Sequence, residues 1–465
     1  MNNNLKIINQ ILRSNEFYRI ISNKSISIRF NSSTTQFENR NILQEKDRGL
    51  IVGIFPNKND QFDKLMSSGV QSVYCGFDPT AASLHIGNLI AIIMLIHCQR
   101  RGHNPIALIG SATALIGDPS GKIYDRMILD SSEIVTNSNR IQKNILKIFQ
   151  NHEEFIWNRN HQIPLPKLKI LNNIKWYENM NIIKFMSLYG KHLRMGDLLS
   201  RKQIETRIKS KEGINYTEFS YQLFQAFDWL HLVENHNCTI QIGGNDQTGN
   251  IKTGHELISK LKPEKRIFGL TLPIITSEKG DKLGKSAGNA VWLENDMFSA
   301  FDFYQFFYNT SDQMVETYLK LFTFLPNNEI DDLMFKHRKN PEKFLAQRKL
   351  ASETTILVHG ETGLDSAIKC TNAFFHSDRE SLAKMTEKEI ESAFKGASVV
   401  TLTMAPEMSV LECVVKANCF KSIEEAAKII QAGGFRINGT MITNPQEALI
   451  YGQHILPNNI TIIRV

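Results

Sequence analysis

The chain has 465 residues, 42 % of them hydrophobic and 22 % charged, which supplies apolar material for two or three cored domains and excludes a fibrous or disordered class. A formal net charge of +7 fits a polyanionic partner without demanding one. The longest apolar run, Leu89 to Ile96, ends at His97 and is too short to cross a bilayer, and six cysteines with no C-x-x-C pair exclude a zinc or disulfide framework.

The first forty residues differ from the rest. Lys6, Arg13, Arg19, Lys24, Arg29 and Arg40 are set against only Glu16 and Glu38, among many Asn and Ser. Leu5, Ile8, Ile11 and Leu12 fall at helical spacing. A basic, acid-poor, Ser-rich leader is expected to be a mitochondrial transit peptide over residues 1–40, with a disordered polar tail as the plainer alternative.

From Val70 the pattern alternates between strand and helix. Val70 to Gly76 predicts a short buried strand, and Phe77-Asp78-Pro79-Thr80 a turn. Leu89, Ile92, Ile93 and Ile96 then recur at helical spacing, with Gly102 at the expected C-cap. Pro105 to Ile109 predicts a second strand. A mainly helical stretch from about Thr136 to His236 reads as an insertion, because a strand–glycine–helix unit recurs afterwards: Thr239 to Ile242, Gly243-Gly244, then Asp246 onward. Leu270 to Ile275 is another strand, followed by a Gly/Lys/Ser loop over 279–289. Residues 296–394 are helical in pattern, broken at Pro326-Asn327-Asn328 and at Gly360. The last unit carries helical stretches at Leu411 to Ala417 and Ile423 to Gln431, a strand Phe435 to Ile437, an Asn438-Gly439 hairpin turn and a final strand near Ile460 to Ile463. Repeated strand–loop–helix units predict a parallel, Rossmann-like α/β sheet with ligands at the carboxyl ends of its strands.

Two strings have the chemistry of a phosphate site. In Leu84-His85-Ile86-Gly87-Asn88 an imidazole and an amide sit one turn apart where a helix opens, a place where free N–H groups and the helix dipole favour an anion. In Gly280-Asp281-Lys282-Leu283-Gly284-Lys285-Ser286 two lysines share a polar loop that can close over a polyphosphate. Alone, the first is more readily an ordinary histidine at a helix start and the second a solvated charged turn. Neither Gly117–Lys122 nor Gly280–Lys285 has P-loop spacing, and no G-x-G-x-x-G run follows a strand.

Together the strings are specific. Tyr74-Cys75-Gly76-Phe77-Asp78-Pro79-Thr80 followed by Ser83-Leu84-His85-Ile86-Gly87-Asn88 resembles the first signature of the class I tyrosyl-tRNA synthetases. Ile116 to Lys122, Glu218 to Tyr221, Gln225 to Asp228 and Gln241 to Gln247 resemble further blocks of that family in order, and Lys282 to Ser286 resembles its second signature loop. The likeness runs from about residue 45 to the C-terminus. Asn88 replaces the second histidine of the first signature, and Thr248 stands where many relatives carry tryptophan.

The resemblance implies a two-step ligase of bacterial or mitochondrial type. It would activate L-tyrosine with ATP, accompanied by Mg²⁺, and transfer the tyrosyl group to tRNA(Tyr), working in the mitochondrial matrix as a homodimer. Thr80, His85 and Asn88 would hold the phosphates, and Lys282, Lys285, Ser286, Lys122 and Arg126 the departing pyrophosphate. Tyr74 and Asp228 would grip the phenol, Asp118, Tyr221 and Gln225 the α-ammonium, and Gln247 the carboxylate, with Asn173 also assigned to the tyrosine site. Cys75, Gly76, Asp78, Gly87, Gly244 and Asp246 would line the nucleotide and adenylate side. No protein-held metal is expected. The implied domains are a catalytic domain over 41–275 with its insertion at about 136–236, a signature-loop and helical anticodon-binding domain over 276–395, a linker over 396–408, and a small RNA-binding α+β domain over 409–465. A tryptophanyl-tRNA synthetase and a synthetase-derived splicing factor are the alternatives.

Overall fold

The computed structural model describes residues 39–121, 129–159, 161, 163–275, 290–376, 379–387, 389–390, 400–420 and 422–464. Residues 1–38 of the leader, Lys122, Arg126 and the signature lysines Lys282 and Lys285 with Ser286 therefore lie outside the described residues.

The sheet follows from strands that are apolar on both faces. Strands β1 (Gly53–Phe55), β2 (Ser72–Phe77), β3 (Asn104–Ile109), β4 (Lys169–Asn172), β5 (Cys238–Gly244) and β6 (Phe268–Leu272) lie in the order β1-β6-β5-β2-β3-β4. All neighbours are parallel except the edge strand β1, which pairs antiparallel with β6. Side chains alternate along each strand. Val73, Cys75, Phe77, Ala107, Ile109, Ile240 and Ile242 join one core, against the helices Ile86–Arg100 and Ser131–His152. Tyr74, Ile106 and Leu108 join the other, against the helices Tyr216–His236 and Thr248–Leu261. The strand after β2 lies to one side of it and the strand after β5 to the opposite side, so the carboxyl ends of β2 and β5 border the crevice where open α/β sheets bind ligands.

Two strands escape the sequence pattern. The expected helical insertion contains β4, a four-residue edge strand beside β3, and begins earlier than Thr136: Asp130 Oδ1 caps its first helix by accepting from Ser132 N at 2.9 Å. β1 is three residues long and partly exposed, too short to show a period.

Beyond the sheet, helices Ala300–Tyr308, Val315–Phe322, Asn327–Lys339 and Leu345–His376 form the expected helical region. Pro326 is the N-cap of one, and Gly360 breaks another with φ 78° and ψ −178°. A buried ionic cluster ties residues 45–48 to this region. The Arg48 guanidinium donates to the Leu325 carbonyl at 2.7 Å, while Glu45 lies 3.3 Å from His97 Nδ1 and 3.8 Å from Arg48 Nε. Burial pushes the Glu45 carboxyl up, but His97, Arg48 and Arg101 outweigh it and hold it at about 2. The C-terminal unit has its own core of Val410, Val414, Ala426, Ile430, Phe435 and Ile437 beneath a three-stranded sheet. Its hairpin turns at Asn438 (φ 49°) and Gly439 (φ 82°), a left-handed pair that Asn-Gly tolerates best.

Candidate active site

A cavity of about 590 Å³, within the usual size of a small-molecule site, opens at the carboxyl ends of β2 and β5. Tyr74, Cys75, Gly76, Asp78, Thr80, His85, Gly87, Asn88, Asp118, Tyr221, Gln225, Asp228, Gly244, Asp246 and Gln247 all line it. The structure thus brings fifteen sequence-chosen residues to one cavity from strands, turns and helices up to 173 positions apart, Tyr74 to Gln247.

At the deep end Asp228 is buried within helix Tyr216–His236. Its Oδ1 accepts from Trp176 Nε1 and Tyr177 Oη, each at 2.9 Å, and its Oδ2 accepts from Asn173 Nδ2 at 3.0 Å. Burial pushes its carboxyl up to about 7, against the pull of these three donors. The Tyr74 hydroxyl, 1 % exposed as a residue, is buried without a hydrogen-bond partner among the described residues. Burial, then the neighbouring Asp228 charge, raise its pKa well above the ordinary phenol range. A buried orphan hydroxyl beside a buried carboxylate costs free energy in the empty protein and suits a ligand hydroxyl that can serve both.

Asn173 does not line the cavity. Fully buried, it accepts from Ala112 N at 2.7 Å and donates to Thr113 and Asp228, so it stands behind the wall and holds Asp228. Asp78, expected on the nucleotide side, accepts from Tyr221 Oη at 2.8 Å and Thr113 Oγ1 at 2.7 Å. Burial, then Asp78 and Asp118, push the Tyr221 phenol well up. Three carboxylates (Asp78, Asp118, Asp228) therefore surround Tyr221, an electronegative spot suited to an ammonium group. The close pass of Gly110 is needed here, because a Cβ at that position would lie 1.9 Å from Asp78 Oδ1. Asp118 accepts from Ser120 N at 2.9 Å and from Gln247 Nε2 at 2.7 Å, and Gln247 Oε1 accepts from Asn250 at 3.0 Å.

At the open end His85 is the N-cap of helix Ile86–Arg100. Its Nδ1 accepts from Gly87 N at 3.0 Å, and Asn88 Oδ1 accepts from His85 N at 3.1 Å, a reciprocal capping box. Ile86 N donates to Val291 O at 2.9 Å, and Asn88 N to His85 O at 2.8 Å. The expectation of free backbone N–H groups for an anion is thus corrected: these donors are spent on the helix start. What lines the cavity here is side-chain chemistry, the His85 imidazole with its Nδ1 occupied by Gly87 N and the amide of Asn88, with the helix dipole behind them. Asn88 also accounts for its own departure from the signature, since an amide can close the capping box and still donate.

The segment that carries the signature lysines begins after Ile275 and ends before Ala290, and both residues line the cavity. On its return the chain pairs with the His85 segment, through an antiparallel bridge from Trp292 to His85 and a 2.9 Å bond from Leu293 N to Leu84 O.

Sequence reasoning missed Gln241, Ser120, Trp176 and Tyr177. Gln241 pairs with Tyr74 across β5 and β2, and its even-face position was a usable signal. Trp176 and Tyr177 lie fifty residues from the carboxylate they serve, and no spacing rule links them. Among the described residues no group of three or more His, Cys, Asp or Glu side chains could hold a metal ion.

The fold and cavity are those of a class I aminoacyl-tRNA synthetase: residues 66–376 match the family model "tRNA synthetases class I (W and Y)". The chain is 49 % identical to the mitochondrial tyrosine–tRNA ligase of Drosophila melanogaster over 93 % of its length and 94 % of the relative's. It is 43 % identical to the human mitochondrial enzyme (91 % and 89 %) and 40 % identical to tyrosine–tRNA ligase of Geobacillus kaustophilus (87 % and 93 %). A C-terminally truncated mitochondrial tyrosyl-tRNA synthetase of Aspergillus nidulans superposes with a TM-score of 0.65 at 30 % identity, covering 71 % of this chain and 92 % of that one. The chain belongs to the tyrosyl-tRNA synthetases of mitochondrial and bacterial type. The tryptophanyl and splicing-factor alternatives gain no support from these relatives.

Proposed function

We propose that this cavity activates L-tyrosine with ATP and charges tRNA(Tyr), for translation in the mitochondrion. The tyrosine carboxylate oxygen attacks the α-phosphorus, a new O–P bond forms, and the bond to pyrophosphate breaks. A ribose hydroxyl at the tRNA terminus then takes the tyrosyl group and releases AMP. No nucleophilic side chain is required, because positioning and charge stabilisation suffice for such displacements. The observation that carries the reading is the buried end of the cavity, lined by Asp228 and by a Tyr74 hydroxyl that has no hydrogen-bond partner among the described residues.

The carboxylates around Tyr221 are proposed to receive the α-ammonium, with Gln225 beside them. Gln247, held by Asp118 and Asn250, is proposed to face the substrate carboxylate. Cys75, Gly76, Gly87, Gly244 and Asp246 are assigned to the adenylate side, and Thr80, His85 and Asn88 to the phosphates. Lys122, Arg126, Lys282, Lys285 and Ser286 would neutralise the leaving pyrophosphate, which is supported by the cavity-lining flanks Ile275 and Ala290. Mg²⁺ would arrive with ATP, held by phosphate oxygens and water rather than by a protein cage. Mitochondrial work is supported by the relatives' names and by the basic leader, homodimerisation by family membership, and RNA binding by the C-terminal α+β unit.

The test is amino-acid-dependent ATP–pyrophosphate exchange by the full chain, followed by charging of mitochondrial tRNA. Exchange driven by tyrosine and not by tryptophan is the expected outcome; exchange driven by tryptophan, or none, would reject the proposal.

A further inference from the structure

Asp228 reaches a ligand only as an acceptor, and its state depends on the groups behind it. The Tyr177 hydroxyl lies 2.9 Å from Asp228 Oδ1 and also 2.9 Å from the Phe224 carbonyl, yet it has one proton to give. When Asp228 is ionised, that proton belongs to the carboxylate, because a hydrogen bond to a charged acceptor is the stronger of the two. When Asp228 is protonated on Oδ1, the carboxyl donates to Tyr177 and Tyr177 turns its proton to Phe224. The two arrangements need no movement of heavy atoms. Ring contacts hold the hydroxyl in place: the Tyr177 ring centroid is 5.5 Å from that of Phe224, 5.6 Å from Phe227 and 6.2 Å from Phe185.

We infer that Tyr177 is a specificity-determining positioning residue, whose hydroxyl sits between Asp228 and the Phe224 carbonyl and keeps Asp228 an ionised acceptor aimed at the substrate phenol. The inference rests on Asp228 being the phenol acceptor. Trp176 and Asn173 also donate to Asp228, but an indole N–H and an amide N–H cannot accept a proton in return, so only Tyr177 serves both protonation states. The groups facing Asp228 are Tyr74 from β2, Asp78 from the turn after it, Tyr177, and Tyr221 on its own helix, with His231 on the same helix stacked on Trp176 at 4.2 Å. Among the described residues none is a cation held against Asp228, so neutral donors are what offsets its burial. Burial lifts its carboxyl to about 7, near the working range, so the loss of one donor is felt.

The test compares the full-length wild type, Tyr177→Phe and Asp228→Ala in ATP–pyrophosphate exchange with tyrosine and with phenylalanine, across about pH 6 to 9. For Tyr177→Phe, kcat/KM for tyrosine falls on the order of ten- to a hundredfold, carried by KM, while the phenylalanine value stays within about threefold. The acid limb of the tyrosine kcat/KM profile moves to higher pH, because the carboxyl has lost a group that favours its charged form. Equal losses for both amino acids, or an unmoved acid limb, would overturn the inference and leave Tyr177 a packing residue. Unchanged tyrosine preference in Asp228→Ala would instead overturn the phenol assignment on which it rests.

Discussion

The two ends of the cavity solve opposite problems. The deep end is buried and rich in hydrogen bonds, with three donors converging on one carboxylate and a nearby hydroxyl that lacks a partner among the described residues. The outer end is a helix start whose backbone donors are already used, bordered by the two ends of a lysine-bearing segment. Discrimination needs a fixed shape in which a missing hydroxyl leaves buried groups unpaired. Phosphate chemistry needs donors that meet charge as it develops. Variants at the deep end should therefore change which amino acid reacts, and variants at the outer end how fast any amino acid reacts.

The largest effect is expected from Asp228→Ala, which takes the acceptor from the Trp176 indole N–H and one Asn173 amide N–H, at about 1–3 kcal/mol each, while Tyr177 keeps the Phe224 carbonyl. Tyrosine kcat/KM should fall about 10³-fold or more, with the tyrosine-over-phenylalanine preference lost in exchange assays. His85→Ala should lower kcat for exchange by about 10²-fold for tyrosine and phenylalanine alike. It also removes a helix cap worth about 0.5–2 kcal/mol, visible as a lower Tm. Equal preference changes in both variants would break the division between the ends.

Gly110→Ala sharpens it. A Cβ 1.9 Å from Asp78 Oδ1 must displace that carboxylate from Tyr221, so KM for tyrosine should rise about tenfold or more while KM for ATP holds. Tyr74→Phe should raise KM for tyrosine about tenfold yet leave the empty protein as stable or slightly more so, because the hydroxyl it removes has no partner to lose. Glu45→Gln is a control outside both ends. A carboxyl lowered to about 2 contributes stability that is complete above its ordinary 4.5 and is lost as pH falls through 2. The variant should lower Tm at neutral pH by an amount that shrinks toward pH 2, with exchange kinetics unchanged.

Asp228 carries the reverse sign. Its carboxyl is raised from 3.8 to about 7, so the folded protein holds a proton there that the unfolded chain releases. Stability falls as pH rises from about 4 through 7, while tyrosine affinity rises over the upper part of that window as the acceptor ionises. In Asp228→Asn both trends should vanish from the pH dependence of Tm and KM.

Much of this was legible in the sequence because strand–turn–helix units put their chemistry within a few residues of a strand end. Tyr74 to Thr80 and His85 to Asn88 are read in one pass for that reason. β4 was not legible, being four residues of edge strand among helices. Asn173 was assigned to the tyrosine site from a local match to the family's sequence. Only its burial and its bonds to Asp228, Thr113 and Ala112 reveal a supporting role. Tyr177 was invisible for the same reason: what matters is a hydroxyl shared between two residues, Phe224 and Asp228, far away in the chain. The helix start at His85 was read correctly as an opening, but the pairing that occupies its backbone donors comes from residues 291–293, on the far side of the lysine segment.

The central claim is that one cavity holds a phenol at Asp228 and Tyr74 and phosphates at His85. A crystal structure of the full chain with a non-hydrolysable tyrosyl-adenylate analogue tests it most directly. The phenol oxygen should lie within hydrogen-bond reach of both Asp228 and Tyr74, with the phosphate analogue beside His85 and Asn88. An analogue bound with its phenol away from Asp228, or reversed in the cavity, would contradict it.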